Sequence, residues 1–181
     1  LLLSPALRNG GMELDIDENS SPNSWWNFNN RIAHEVHRHA QDAALFALSV
    51  KRDTAIKHSG EASARLPGKM IYVTTKSRDI EDRFVGRKNE YTSSMAQHLW
   101  LKPNTAYKLS AWIYCDKPEA KYAFTACGKS ADKKIEPGKW TELTLEFTTE
   151  NAVGNPSANF SNESAEGVSI WIDDIFLVEM K

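Results

Sequence analysis

The stretch YKLSAWIYC, residues 107–115, decides the fold that this sequence predicts. In an extended chain its side chains point alternately to two faces, so Leu109 and Ile113 share one face while Trp112 and Tyr114 share the other. β-Branched and aromatic residues in strict alternation are typical of a β-strand. The stretch therefore predicts a strand with one aliphatic face and one aromatic face.

The next segment predicts a partner for this strand. A turn containing Pro118 leads into Tyr122–Cys127, and in a hairpin of that shape Tyr114 lies opposite Tyr122. One face of the hairpin is then aromatic and the other is aliphatic and small. Because each sheet of a sandwich buries one face, either the aromatic face is core or the Leu109 side is core and the aromatic side chains line an open cleft. We take the second interpretation.

Short segments with the same two-residue period occur along the rest of the chain, separated by turns rich in Pro, Gly and Asn. The candidate strands are residues 62–66, 70–73, 95–101, 140–149 and 168–178. Residues 31–48 are the one serious helix candidate, with a strand at 44–50 as its rival. Many short strands joined by tight turns predict an all-β fold, a β-sandwich or jelly roll of two antiparallel sheets.

Length and charge limit the possible classes of protein. The chain has 181 residues and a formal net charge of −2. That length suits one domain, and we expect residues 1–8 to be a tail or linker and residues 9–181 to form the domain. A near-neutral chain argues against nucleic acid as the main partner, because phosphate neutralisation needs a basic excess. No stretch approaches the roughly 20 apolar residues of a membrane-spanning helix.

The two cysteines are predicted to be free thiols. In the hairpin register Cys115 lies opposite Lys121, six residues along the strand from Cys127. At about 3.3 Å per residue the separation is about 20 Å, which is far beyond the reach of a disulfide.

The sequence offers little catalytic chemistry. It contains no Gly-rich phosphate loop, Gly-x-Ser-x-Gly or His-Glu-x-x-His motif. His34, His37 and His39 suit either a zinc site or a solvated surface. Asp173 and Asp174 with Glu13 could form a glycosidase carboxylate pair, but no other element of such a site accompanies them. We therefore expect a protein that is not itself an enzyme, and keep a jelly-roll lyase or hydrolase as a third alternative.

Five motifs in order point to a known family. They are residues 9–13 (NGGME), 58–66 (HSGEASARL), 101–113 (LKPNTAYKLSAWI), 139–149 (KWTELTLEFTT) and 172–179 (IDDIFLVE). Together they resemble the motifs of carbohydrate-binding modules of the family 4/9/16/22 type, which have a galactose-binding-like β-jelly roll. The resemblance extends over nearly the whole chain.

The resemblance implies a structural calcium ion that ties the first and last strands to the loop at residues 58–61. By position, Glu13 and Asp173 would supply carboxylate oxygens, and His58 and Glu61 would supply backbone carbonyls. Hard oxygen ligands of this kind suit Ca²⁺.

The resemblance also implies a sugar-binding sheet. Aromatic rings stack on the apolar face of a sugar ring, and planar polar groups bond to its hydroxyls. The candidate residues are Trp112, Tyr114, Tyr122, Trp100 and Asn159. We expect Trp140 to lie in the core and one of Trp25 and Trp26 to cap the end of the sandwich.

The function expected from these features is non-catalytic binding of a β-linked plant or microbial polysaccharide through an aromatic-lined cleft. Such a module is expected to be extracellular, monomeric and attached to a glycoside hydrolase or related enzyme. The alternative is a structural or protein-interaction jelly roll of a larger secreted or surface protein, with its aromatic patch covered by a partner domain. The choice of glycan, and of chain interior or chain end, stays open.

Overall fold

The structure is a computed structural model of the chain, and it describes residues 7, 10–13, 25–27, 50–73, 85–86 and 88–181. These residues form twelve β-strands and contain no α-helix. Within the described part of the chain, no helix is long and apolar enough to cross a membrane. The helix predicted at residues 31–48 lies outside the described residues, as do His34, His37 and His39, and of the rival strand at 44–50 only Val50 is described.

The strands are short, and the two longest have ten residues each. They are β1 (Trp26–Asn27), β2 (Lys51–Asp53), β3 (Ser63–Leu66), β4 (Met70–Val73), β5 (Lys88–Tyr91), β6 (Ser93–His98), β7 (Ala106–Cys115), β8 (Tyr122–Ala126), β9 (Lys129–Ser130), β10 (Thr141–Thr148), β11 (Ser157–Asn162) and β12 (Ile170–Glu179).

Ten of these strands form two five-stranded sheets. The first sheet has the order β1-β6-β11-β8-β9 and the second the order β10-β7-β12-β3-β2, while β4 and β5 pair as a separate ribbon. All of the strand pairs described are antiparallel. The predicted all-β sandwich of two antiparallel sheets is therefore confirmed.

The core lies between the two sheets. Leu109, Ala111 and Ile113 of β7 are fully buried in it, whereas Trp112 and Tyr114 on the opposite face of β7 are only half-buried. From the first sheet, the rings of Phe124 and Phe160 stack with their centroids 4.3 Å apart. The aliphatic side of β7 is thus the core side, as we had predicted.

The predicted hairpin between β7 and β8 is wrong. β7 lies between β10 and β12 in the second sheet, and β8 lies between β11 and β9 in the first sheet. The segment between them crosses from one sheet to the other. It bonds to the chain before β12, since the Asp116 N–H donates to the Ser169 carbonyl and the Lys121 N–H donates to the Ser164 hydroxyl. Alternation along a strand defines its two faces but does not define its neighbours.

Both cysteines are free, although the register argument behind that prediction was wrong. Cys115 is buried at the end of β7, and Cys127 is exposed in the turn between β8 and β9. The two thiols belong to different sheets of the sandwich.

A β-bulge interrupts β12 at its acidic pair. The pairing with β7 shifts register between Asp173 and Phe176, and Asp174 has a positive φ of 45°. Ile172 is buried before the bulge and Ile175 after it, three positions apart instead of two. The extra residue therefore resets which side chains of β12 face the core.

A buried amide ties the first sheet to the second. The Asn162 Nδ2 of β11 donates to the carbonyls of Leu66 (2.8 Å) and Val168 (2.9 Å), and its Oδ1 accepts the Ser164 N–H (3.0 Å). Because a buried polar group is costly without partners, these three bonds let Asn162 stabilise the end of the sandwich.

Candidate functional site

The predicted sugar-binding residues do not meet on one surface. Trp112 and Tyr114 lie on the outer face of the second sheet, and Asn159 lies on the outer face of the first sheet. Trp100 follows β6 of the first sheet. Tyr122 shares its side of β8 with the core residue Phe124. The structure brings Trp112 together with Tyr114 on one outer face, and places Asn159 on the other sheet, to which Trp100 is also attached through β6.

The outer face of the second sheet carries a group of rings that we call the aromatic cluster, made of His58, Trp112, Tyr114, Trp140 and Trp171. The His58 ring stacks on Trp112 with centroids 4.0 Å apart and 14° between the planes. Trp140 packs edge-on against His58 at 5.5 Å. One flat face of Trp112 is therefore already covered by a ring of the protein itself.

The cluster continues along β12. Tyr114 contacts both Trp140 and Trp171 at centroid distances of 5.5 Å. Trp171 is only 4% exposed, because the Arg65 guanidinium lies 5.6 Å above its ring and its Nε1 donates to Asp53 at 2.8 Å. The prediction that Trp140 lies in the core is wrong, since it is half-buried in this outer cluster instead.

These contacts give the aromatic cluster a structural role. The loop of residues 54–61 lies between β2 and β3, and its His58 ring reaches over Trp112. Stacked and edge-on aromatic pairs stabilise such an arrangement beyond their burial alone. A sugar-binding role for Trp112 and Tyr114 stays a prediction, while the stacking of His58 on Trp112 indicates that Trp112 holds this loop on the sheet.

Asp53 anchors the same loop at its start. Its carboxylate accepts the Trp171 Nε1–H and the N–H groups of Ala55 and Ile56. Burial raises the pKa of Asp53, but these hydrogen bonds and the nearby Arg65 charge outweigh it and hold the pKa below its ordinary value of 3.8. The charged form of Asp53 therefore belongs to the folded state.

The residues predicted to bind calcium do lie together, beside this loop. The fully buried Asp173 accepts the N–H groups of His58 (2.8 Å) and Ser59 (3.2 Å) on Oδ2 and the N–H of Asp174 on Oδ1. Burial raises the pKa of Asp173 to about 6, against the opposing effect of these three bonds. The His58 Nδ1 also lies 2.7 Å from Asp174 Oδ2.

The donor set does not fit a calcium ion well. Both carboxylate oxygens of Glu13 accept the Glu61 N–H, at 3.0 and 2.9 Å, whereas oxygens in a calcium cage point at the ion. Among the residues that the structure describes, no group of three or more His, Cys, Asp or Glu side chains could hold a metal. Calcium binding stays a prediction of the resemblance, and no part of the function below depends on it.

The outer face of the first sheet is different in character, and we call it the polar face. Its side chains are short, and most are half-buried. They are Ser94, Ala96 and His98 of β6, Ser157, Asn159 and Ser161 of β11, and Ala123 and Thr125 of β8. Neighbouring strands of a sheet lie only about 4.8 Å apart, so the hydroxyl and amide groups of this face lie close to one another, interrupted by Ala96 and Ala123.

Pairing between the strands places Asn159 at the middle of the polar face. Asn159 lies opposite Ala96 on one side and Thr125 on the other. Its Nδ2 donates to the Ser157 hydroxyl at 2.9 Å, which fixes the orientation of the amide. On the same face of β11, two residues after Asn159, the Ser161 hydroxyl donates to the Glu163 carboxylate at 2.6 Å. The polar groups are thus pre-oriented by bonds within the polar face.

Trp100 stands at the end of the polar face. The buried Leu99 continues the pairing of β6 with β11, because its N–H donates to the Pro156 carbonyl at 2.9 Å. Alternation then puts Trp100 on the same side as His98, and Trp100 is 75% exposed. At about 3.3 Å per residue it lies about 13 Å along the sheet from the Ala96 row. An exposed ring beside the polar face suits a ligand with both apolar faces and hydroxyls.

Tyr122 was predicted to be a platform ring, but it lies on the core side of β8. Its side chain packs partly against the core, and its hydroxyl donates to the Lys133 carbonyl at 2.6 Å. Burial, and then the charge of Asp132, raises the pKa of Tyr122. These contacts place it at the end of the sandwich and not on either outer face.

Most residues of the polar face were not predicted, because aromatic side chains are the usual sequence indication of a sugar-binding surface. The signal was nevertheless present, as Ser94 and Ala96 alternate with the buried Met95, and Ser157 and Ser161 lie on the opposite side of β11 from the buried Phe160. Small residues on the outer side of several strands are the pattern that would have indicated this face.

No protein-family profile matches the chain, and no curated protein is a significant match. Several solved structures share its fold. TmCBM61, solved in complex with β-1,4-galactotriose, is 16% identical, with a TM-score of 0.60 over 97% of this chain and 98% of that chain. The CBM22-1 xylan-binding domain from Paenibacillus barcinonensis Xyn10C is 12% identical, with a TM-score of 0.55 over 91% of this chain and 90% of that chain.

A family 16 carbohydrate-binding module is also similar, with 21% identity and a TM-score of 0.50 over 72% of this chain and 85% of that chain. The fold is therefore the β-jelly roll found in carbohydrate-binding modules of families 16, 22 and 61. Identities at this level establish a shared fold, and what the domain binds has to be argued from its own residues.

Proposed function

We propose that this domain is a non-catalytic module that binds a polysaccharide on its polar face. The observation that carries this proposal is the group of short hydroxyl and amide side chains on the outer side of β11 and its neighbours, with the exposed ring of Trp100 beyond the end of β6. The likeness in fold to modules solved with galactotriose or described as xylan-binding supports it.

The chemistry of the polar face matches that of a glycan. The flat indole of Trp100 suits the C–H face of a sugar ring, and Asn159, Ser161 and Thr125 offer donors and acceptors to hydroxyl groups. Short side chains allow a ligand to approach the sheet closely. A β-linked plant or microbial polysaccharide is the class we propose, because extended chains lie flat on a surface of this kind.

The wider setting of the module is part of the same proposal. We propose an extracellular, monomeric module attached to a glycan-degrading enzyme, with neither nucleic acid nor a membrane as partner. The net charge of −2 supports the exclusion of nucleic acid. A further structure of similar fold contains the CBM22-1 and GH10 modules of Clostridium thermocellum Xyn10B in one chain, of which the present chain covers 27%.

Affinity electrophoresis tests the proposal. The domain is run through native gels containing xylan, β-glucan, β-1,4-galactan, mannan or a cellulose derivative, beside a gel without polysaccharide. We expect retardation in at least one gel. Trp100→Ala should weaken binding at least tenfold, which corresponds to about 1.4 kcal/mol. Asn159→Ala should weaken it to a smaller extent.

Trp112→Phe is the matched control, because it changes an indole on the opposite outer face. Its retardation should equal that of the wild type. Retardation in no gel would refute glycan binding and favour the protein-interaction alternative. Normal retardation of Trp100→Ala with loss in Trp112→Phe would move the binding site to the aromatic cluster.

A further inference from the structure

Three segments that are distant in sequence meet beside the bulge of β12. They are residues 10–13, the chain from Arg52 to Glu61, and the bulge itself. The Ile175 N–H donates to the Gly10 carbonyl at 2.9 Å, and the Glu61 N–H donates to the Glu13 carboxylate. We call this meeting point the junction.

A guanidinium lies at the junction. Arg52 Nε is 3.3 Å from the Met12 carbonyl oxygen, and its Nη2 is 3.4 Å from the Glu13 carbonyl oxygen and 3.9 Å from Glu61 Oε2. The Arg52 side chain is 21% exposed. Arginine stays charged at all physiological pH values and carries five N–H donors in a fixed geometry. One side chain therefore bonds to two backbone carbonyls of the first segment, while the Glu61 carboxylate, whose side chain is 86% exposed, lies only at the edge of ion-pair distance.

The backbone is shaped to bring the loop this close. Gly60 has a positive φ of 59°, and a Cβ atom added to it would stand 1.8 Å from Glu13 Oε1. Only glycine combines that conformation with that approach. The absence of a side chain at Gly60 therefore lets the Glu13 carboxylate reach the Glu61 N–H of the loop.

The result differs from the metal site that the sequence resemblance implied. The guanidinium bonds to the backbone carbonyls of residues 12 and 13 and contacts none of the four oxygens that the resemblance implies as calcium ligands. Of the carboxylates here, Glu13 and Asp173 accept backbone N–H groups, and Asp174 accepts the Ser59 hydroxyl. The charges and hydrogen-bonding groups of the junction are satisfied by the chain itself.

We propose that the junction forms without calcium and that Arg52, through its bonds to the carbonyls of residues 12 and 13, holds this segment beside β2 and the loop before β3. The side chain acts together with the backbone bonds to Glu13, Gly10 and Asp173. Charge-assisted hydrogen bonds of partly buried groups are worth more than neutral ones, so the loss of Arg52 is measurable.

Thermal unfolding in EDTA and in calcium chloride tests the proposal. For the wild type, the midpoint should be the same in both buffers, and calorimetric titration with calcium chloride should show no binding heat. Arg52→Ala should lower the midpoint by about 3–6 °C, as expected for the loss of charge-assisted bonds in a domain of this size. Arg52→Lys keeps the charge and should recover part of that loss.

Lys51→Ala is the matched control, because Lys51 is an exposed basic residue on the same strand. Its midpoint should equal that of the wild type. A wild-type midpoint that rises in calcium, or measurable calcium binding, would overturn the proposal. So would an Arg52→Ala variant that unfolds at the wild-type temperature.

Discussion

The two outer faces of the sandwich use their residues in opposite ways. The outer face of the second sheet carries the large rings, and these rings pack against one another. His58 stacks on Trp112, and Tyr114 contacts Trp171. The outer face of the first sheet carries mostly short polar side chains, and the indole of Trp100, which follows β6, is exposed to solvent. An abundance of aromatic residues is therefore a poor guide to a binding surface, because rings serve packing as readily as recognition.

The contrast between the two outer faces also predicts that residues for stability and residues for binding lie on different sheets. Changes in the aromatic cluster should alter the free energy of unfolding, and changes on the polar face should leave it nearly unchanged. Each of the following variants tests that separation at a different magnitude.

The largest effect is expected for Trp171→Ala. This ring is 4% exposed and bonds to Asp53, so its removal should lower the free energy of unfolding by about 3 kcal/mol. Urea denaturation followed by circular dichroism measures it. Thr144→Ala, an exposed change on the same sheet, is the control and should stay within about 0.5 kcal/mol of the wild type. A similarly small change in Trp171→Ala would show that the aromatic cluster does not stabilise the fold.

An intermediate effect should distinguish the two sides of one strand. Asn162→Ala removes three buried hydrogen bonds and should cost about 2 kcal/mol in urea denaturation. Asn159→Ala, three residues earlier on β11 and on the polar face, should cost less than about 0.5 kcal/mol. Equal losses in the two variants would contradict the assignment of Asn159 to a face available for ligands.

The smallest effect should depend on pH. The pKa of Asp53 is lower in the folded state than its ordinary value of 3.8, so its carboxylate stabilises the fold above pH 3.8. That stabilisation is lost as the pH falls through the folded-state pKa. Asp53→Asn should therefore be less stable than the wild type at pH 7, by less than about 1 kcal/mol.

The same comparison at acid pH is the decisive one for Asp53. The difference between wild type and Asp53→Asn should shrink as the pH drops below 3.8. Urea denaturation at pH 7, 5 and 3 follows it. A difference that is constant over this range would mean that the charge of Asp53 contributes nothing to the fold.

Much of the fold was predictable because strand periodicity is a local property. Residues 107–115 and 140–149 were expected to be strands, and the structure has Ala106–Cys115 and Thr141–Thr148. The choice of the Leu109 side as the core side was also correct, since one face of each sheet has to be buried. These conclusions required no knowledge of which strands are neighbours.

The site was less predictable because it depends on neighbours. The turn at Pro118 suggested a hairpin, yet the segment that contains it bonds to Ser164 and Ser169 and carries the chain to the other sheet. Tyr122 and Trp112 were consequently assigned to one face although they belong to different sheets. Only the three-dimensional pairing shows that Asn159 shares its surface with Ser94 and Thr125 and not with Trp112.

The bulge of β12 has a consequence for insertions and deletions in this strand. Beyond Asp174 the alternation of core-facing and outward-facing side chains is shifted by one residue. Phe176 and Val178 are therefore exposed, while Ile175 is buried. Deleting one residue at the bulge would place Ile175 two positions after Ile172, so β12 would become a regular strand with Ile175 still facing the core and Phe176 and Val178 still outside. A relative that lacks this extra residue would therefore keep the same apolar pattern in its last five positions, and the two halves of the strand must be aligned separately.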